Sequence, residues 1–291
     1  MGKRSGVGRN PEPISEKRAS DLDIVSSVNA PIRTRPRLNR SLLFAEISML
    51  SYLRHDEAQP VFSSVGFTSV EYIERDGAQV YLLGTEDDLV VACRGTEPNE
   101  WNDIKADANA LTDLAETVGR VHRGFKREVD DIWPVVETSL LDDERTVWFC
   151  GHSLGGAMAT ICASRADHMD PGPMLSEVHT FGSPRVGTKR YINNHEVQHV
   201  RWVNNNDIVA RVPPRWFGYG HTGTLMYLDR NGNHRHLTPA LRGSDRWAGF
   251  WSGLKNRQFD HFSDHASAGY VDHIRRATEA QSAKRRPPGV R

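Results

Sequence analysis

The sequence predicts an α/β fold in one domain, with a mostly parallel central sheet and helices on both faces. Three observations carry that prediction. Nearly continuous apolar runs such as LVVAC (89–93) and VWFC (147–150) alternate with helix-period segments, as strands buried on both faces do. The stretch VWFCGHSLGGAMATICA (147–163) passes from an apolar strand to a small-residue helix through a serine flanked by glycines. The chain has 291 residues, 38% of them hydrophobic, enough to bury one large core or two small ones.

Residues 1–38 are rich in Arg, Pro, Ser and Asn and show little apolar periodicity, so they read as a disordered or loosely attached extension. The folded domain is expected over 39–277. It opens with SLLFAEISMLSYL (41–53), whose Leu42, Leu43, Ile47, Leu50 and Leu53 follow the helical period, with Asn39 or Ser41 as N-cap. QVYLL (79–83) and LVVAC flank the polar turn GTEDD and read as paired strands. In VHRGFKREVDDIWPVVETSLL (121–141), Phe125, Val129, Ile132, Val136 and Leu140 share one helical face, and Pro134 is expected to kink it.

The strand VWFC, the helix LGGAMATICASRA (154–166) and the strands VHTF (178–181) and HVRWV (199–203) follow. TLMYLDRNGNHRHL (224–237) reads as a hairpin around Asn231-Gly232, and a last helix spans roughly 266–277. The remaining residues, 278–291, end in a basic cluster and read as a solvated tail.

Bulk chemistry excludes several classes. Lys+Arg and Asp+Glu are both 37, so no global field points to nucleic acid. Mean hydropathy is negative, and no apolar run approaches the ~20 residues of a membrane span. The N-terminal residues carry no apolar core of a Sec-type signal, which leads to the expectation of a cytoplasmic location. Cys93, Cys150 and Cys162 sit in apolar contexts and read as small buried hydrophobes, not as a disulfide or metal framework. No metal or organic cofactor is expected.

The serine between glycines carries the chemistry. A sharp strand-to-helix turn strains its backbone, and glycine two positions either side relieves the clash. Ser153 Oγ then stands beside a helix N-terminus, where unpaired N–H groups favour a developing negative charge. The N–H of Leu154 is aimed at an oxyanion formed on a carbonyl that Ser153 attacks. Against this stands a tight turn with Ser153 merely capping a helix.

A nucleophilic serine needs a base and a carboxylate to orient it, here in the order Ser, Asp or Glu, His. Asp207, after the strand HVRWV, is the leading carboxylate, and Asp229 in the hairpin is a weaker rival. The segment FDHFSDHASAGYVDHI offers His261, His265 and His273 as the base.

Taken together, VVACRGT, VHRGF, GHSLGGA, TFGSPRVG, VNNNDIVARVPP, YGHTGT and DHASAGY resemble the class 3 lipases, the fungal-lipase-like branch of the α/β-hydrolases. The motifs follow the family's order over roughly residues 40–277. The resemblance implies Ser153 as nucleophile, Asp207 as triad aspartate and His265, followed by a tyrosine on the last helix, as base in preference to His261. It also implies Thr96 of RGT as second oxyanion donor beside Leu154. Arg94 and His221 match family motif positions too. They are expected to be structural, Arg94 paired to a carboxylate and His221 hydrogen-bonded near the site.

The resemblance implies hydrolysis of acylglycerol-like carboxylic esters, by a triacylglycerol lipase or a carboxylesterase, without cofactor. The family's segment after RGT often forms a lid with an apolar underside. Here EPNEWNDIKADANALTDLAETVGR is mostly polar, with few large apolar residues, of which Trp101, Ile104 and Leu111 form a small apolar face, so lipid-surface contact is expected to be transient. A phospholipase A1 or a soluble carboxylesterase is therefore the alternative, and a catalytically silent hydrolase-like scaffold a remoter one.

Overall fold

The structure, a computed structural model, describes residues 19–96, 111–141, 143–205, 207–235 and 265–285. In chain order the elements are α1 (Arg37–Leu50), α2 (His55–Val65), β1 (Ser69–Arg75), β2 (Ala78–Gly84), β3 (Asp88–Cys93), β4 (Thr112–Leu114) and β5 (Arg120–His122). Then come α3 (Arg123–Leu140), β6 (Thr146–His152), α4 (Leu154–Ala166), β7 (Met174–Phe181), β8 (Gly187–Thr188), α5 (Lys189–Asn193) and β9 (Gln198–Asn204). The strands β10 (Tyr219–Gly220), β11 (Thr224–Leu228) and β12 (His234–Arg235) precede α6 (Ser267–Arg285).

Eight strands form the main sheet in the order β1-β2-β3-β6-β7-β9-β11-β12. Its centre, from β3 through β6, β7 and β9 to β11, is parallel, and antiparallel hairpins finish both edges. Strand pleating divides the core in two. Val90, Ala92, Trp148 and Cys150 face α1, α2 and α6, whereas Val91, Cys93, Val147 and Phe149 face α3 and α4. The apolar face read along α3 is the buried one, and the helix runs unbroken through Pro134. A small antiparallel sheet, β10-β8-β5-β4, stands at the end of the main sheet where its central strands terminate.

Four expectations change. The folded body starts before residue 38: Val28 and Ile32 are buried, and Ile32 N–H donates to Asp88 Oδ2 at 2.8 Å. Asp88, read from the sequence as part of a polar turn, is fully buried and also accepts Trp148 Nε1–H at 2.7 Å. Because this strap leads the chain in, α1 starts at Arg37 with Pro36 at its N-cap, and Ser41 is a buried partner of His179 Nδ1 at 3.3 Å instead of a cap. At the other end α6 continues to Arg285, past the expected 277.

Candidate active site

Strand β6 delivers His152, Ser153 turns, and α4 begins at Leu154. Ser153 has φ 57° and ψ −128°, a left-handed conformation that a side-chain-bearing residue adopts only under strain. A Cβ on Gly151 would lie 2.3 Å from the carbonyl of Gly155, and one on Gly155 would lie 2.2 Å from the Cys93 carbonyl. Both glycines are thus required by backbone approach.

Three side chains from distant parts of the chain meet here. His265 Nε2 lies 2.8 Å from Ser153 Oγ, and its Nδ1 lies 2.9 Å from Asp207 Oδ2. A carboxylate only accepts, so the imidazole carries its proton on Nδ1 and Nε2 accepts from the serine hydroxyl. All three residues are buried. Asp207 stands one turn past the end of β9. Its Oδ1 accepts the Val209 N–H at 2.8 Å, and its Oδ2 also accepts the Tyr270 hydroxyl at 2.6 Å. Tyr270 in turn accepts the Asn204 N–H at 3.0 Å.

The loop bearing His265 is held from behind. His152 Nε2–H donates to the His265 carbonyl at 2.6 Å, which leaves Nδ1 to accept the Tyr52 hydroxyl at 2.9 Å. Burial, reinforced by the neighbouring His265, holds His152 far below the usual histidine range, so it is neutral. Its position beside the serine was visible in the sequence, but this bracing is a tertiary contact that no local signal announces. The same holds for Gly182, whose Cα faces both Asp207 and His265.

Thr96 lies half-buried just beyond β3. Its neighbour Gly95 runs so close to α4 that an added Cβ would lie 3.3 Å from the Gly155 nitrogen. The segment 94–96 therefore passes the N-terminus of α4, where the Leu154 and Gly155 N–H groups begin the helix. Among the described residues the Arg94 guanidinium bonds the Gln79 amide oxygen and lies over the Tyr52 ring at 5.9 Å, with no carboxylate beside it. His221 donates from Nε2 to the Ala210 carbonyl at 2.8 Å, steadying the turn that follows Asp207.

The other candidates stand elsewhere. Asp229 closes the β11–β12 turn, accepting from Asn231, Asn233 and Arg235. His273 packs against Gly232 in that same turn. His261, Trp101 and Ile104 lie outside the described residues. Cys93, Cys150 and Cys162 are free and buried, and burial lifts the Cys150 thiol to about 12. Among the described residues, no group of three or more His, Cys, Asp or Glu side chains is arranged to hold a metal ion.

Residues 90–217, which contain the strand-turn-helix of Ser153 and also Asp207, match the sequence profile of the family described as Lipase (class 3). Over that stretch the chain is similar to the class 3 lipases. It is 32% identical over 162 residues to a "Secreted mono- and diacylglycerol lipase 1" of Fusarium solani, an alignment covering 53% of this chain and 47% of that protein. It is 26% identical over 205 residues to the "Toxin TseL" of Vibrio cholerae, covering 55% of this chain but 32% of the toxin. The chain thus spans about a third of one relative and about half of the other.

The crystal structure of Rhizomucor miehei triacylglyceride lipase superposes with a TM-score of 0.56 at 22% identity, covering 67% of this chain and 81% of that one. That likeness shows the α/β-hydrolase fold. Among the described residues no helix is long and apolar enough to cross a membrane. The expected cytoplasmic location finds no support among these relatives, one of which is named a secreted enzyme.

Proposed function

We propose that this chain hydrolyses carboxylic esters of the acylglycerol class by an acyl-enzyme mechanism, with Ser153 as nucleophile, His265 as general base and Asp207 as its orienting carboxylate. The observation that supports this reading is the unbroken hydrogen-bonded line from Asp207 through His265 to the hydroxyl of Ser153 on its strained turn. His265 takes the serine proton as Oγ attacks the ester carbonyl, and Asp207 stabilises the imidazolium that forms. The N–H groups of Leu154 and Thr96 are the oxyanion donors in this reading, each worth ~100- to 1,000-fold in rate. His265 then protonates the leaving alcohol. Water, activated by the same imidazole, releases the acid.

The name of the Fusarium relative makes mono- and diacylglycerols the first substrates to try. The polar sequence that follows Thr96 favours a second reading, a carboxylesterase acting on dissolved esters. Rates measured below and above the solubility limit of one ester separate the two, since an enzyme that works at a lipid surface accelerates when droplets form.

The decisive variant is Ser153→Ala. It is expected to keep the parent's circular dichroism while losing hydrolysis of p-nitrophenyl butyrate and labelling by a fluorophosphonate. Undiminished turnover by that variant defeats the assignment.

A further inference from the structure

Large apolar side chains left in water are unevenly placed on this molecule. Of seven such residues among those described, four belong to the small sheet or the turn leading into it: Leu111 (51% exposed), Leu114 (64%), Trp216 (80%) and Phe217 (58%). A lone exposed apolar residue needs no explanation, but an adjacent tryptophan and phenylalanine held out on one turn do.

The turn is well fixed. Phe217 N–H donates to the Pro214 carbonyl at 3.1 Å, and Gly218 N–H to the Arg215 carbonyl at 2.9 Å. Gly218 has φ +85°, which lets the chain reverse directly into β10. There Tyr219 is buried, pairs with β8 and donates its hydroxyl to the Leu111 carbonyl at 3.4 Å. The two apolar groups are therefore tied to one frame.

That frame stands at the catalytic end of the main sheet. β5 runs directly into α3, which returns to the start of β6, so β5 lies at the end where β6 delivers Ser153. Arg185, four residues past the end of β7, binds the carbonyl of Pro213 at 2.8 Å, only three residues before Trp216.

Charge points to the kind of partner. Arg123 and Lys126 near this sheet face Asp113 and Glu116. Arg120 instead bonds Thr112, and Arg215 is exposed beside Trp216; neither has a carboxylate partner among the described residues. Aromatic rings projecting beside arginines suit the boundary between acyl chains and anionic headgroups, where the rings enter the apolar layer and the guanidinium groups meet the phosphates.

We infer that the turn Arg215–Trp216–Phe217, with Leu111 and Leu114 beside it, is a docking element for an anionic lipid surface that brings the Ser153 end of the sheet to its substrate. The choice of partner rests on the lipid-ester reading above; the geometry of the turn does not.

The test uses the full chain and sedimentation with phosphatidylcholine vesicles, with and without phosphatidylglycerol. Trp216→Ser/Phe217→Ser is expected to weaken binding roughly tenfold or more, given the apolar area withdrawn. Arg215→Gln is expected to weaken binding only where phosphatidylglycerol is present. Both variants are expected to hydrolyse dissolved p-nitrophenyl butyrate at the parent's rate, while the aromatic double variant loses rate on the emulsified ester. Vesicle binding by the double variant equal to that of the parent overturns the inference. So does a parent that binds neither vesicle, or an aromatic turn whose loss changes only the oligomeric state. Failure of the parent on dissolved ester strikes the hydrolase reading alone, because vesicle binding is read independently.

Discussion

The Tyr270 hydroxyl and the His265 imidazole share one oxygen of Asp207, at 2.6 and 2.9 Å. The tyrosine therefore sets where the carboxylate sits before the histidine meets it. Its own oxygen is anchored by the Asn204 N–H at the end of β9. Tyr270→Phe removes a bond to a charged group, worth about 1.5–3 kcal/mol in place, and leaves the Asn204 N–H without its acceptor. If part of that loss reaches the orientation of the imidazole, kcat falls about tenfold while KM stays near the parent value. Steady-state kinetics on a dissolved ester measure this. An unchanged kcat means that the Val209 N–H and His265 suffice to hold Asp207.

Gly182 carries a sharper prediction. With φ +60°, it sits where an added Cβ would lie 2.6 Å from Asp207 Oδ2 and 2.9 Å from His265 Nδ1. Real side chains do not come so close to such atoms, so Gly182→Ala forces the carboxylate and imidazole apart. Strands β7 and β9 on either side are expected to persist. Hydrolysis is expected to fall at least ~100-fold with secondary structure intact, since losing the orientation of the base alone costs up to ~10,000-fold. Near-parental turnover by a folded Gly182→Ala protein removes Asp207 and His265 from the proposed relay.

How far the sequence carries such arguments depends on range. Helix α4 is legible to the residue because both its start at a glycine-flanked serine and its small packing face are local. The strands β3 and β6 are legible as apolar runs, and α3 by its single buried stripe. The short β4, β5, β8 and β10 have too few residues for a period to register, and Pro60 masks α2, whose Ala58, Phe62 and Val65 still form one buried face. The N-terminal strap looks loose in composition because its backbone N–H groups are held by Glu46, Asp88 and Val65, contacts that composition does not encode. At the candidate site, Ser153 declares itself by local strain. The meeting of Asp207 and His265, 58 residues apart, is a tertiary fact, and the family motif order pointed to it where periodicity is silent.

The last prediction concerns acid. Six described histidines are held below their ordinary value of 6.5, in every case first by burial: His122, His152, His179, His195, His199 and His221. His195 falls to about 4, with His168 as a second cause, and His199 and His221 also face the positive charge of Arg201. His179 is lowered even though Glu177 opposes it across 2.8 Å. A histidine whose folded value is depressed binds fewer protons folded than unfolded, so its contribution is complete above 6.5 and is lost as pH falls below it. Each such group adds up to ~1.4 kcal/mol of lost stability per pH unit. Glu177 acts later: burial pushes its carboxyl up, but bonds from His179 and Arg40 outweigh this and hold it at about 2, so its share disappears only between 4.5 and about 2. Thermal melts are therefore expected to be flat between pH 7 and 8 and to fall steeply from 6.5 toward 5, well before the carboxylates protonate. The fall is expected to be shallower in His199→Gln, provided the variant folds, because that site no longer takes up a proton on unfolding. A Tm that holds steady from pH 7 to 5 means that these imidazoles are protonated as readily in the folded chain as in the unfolded one.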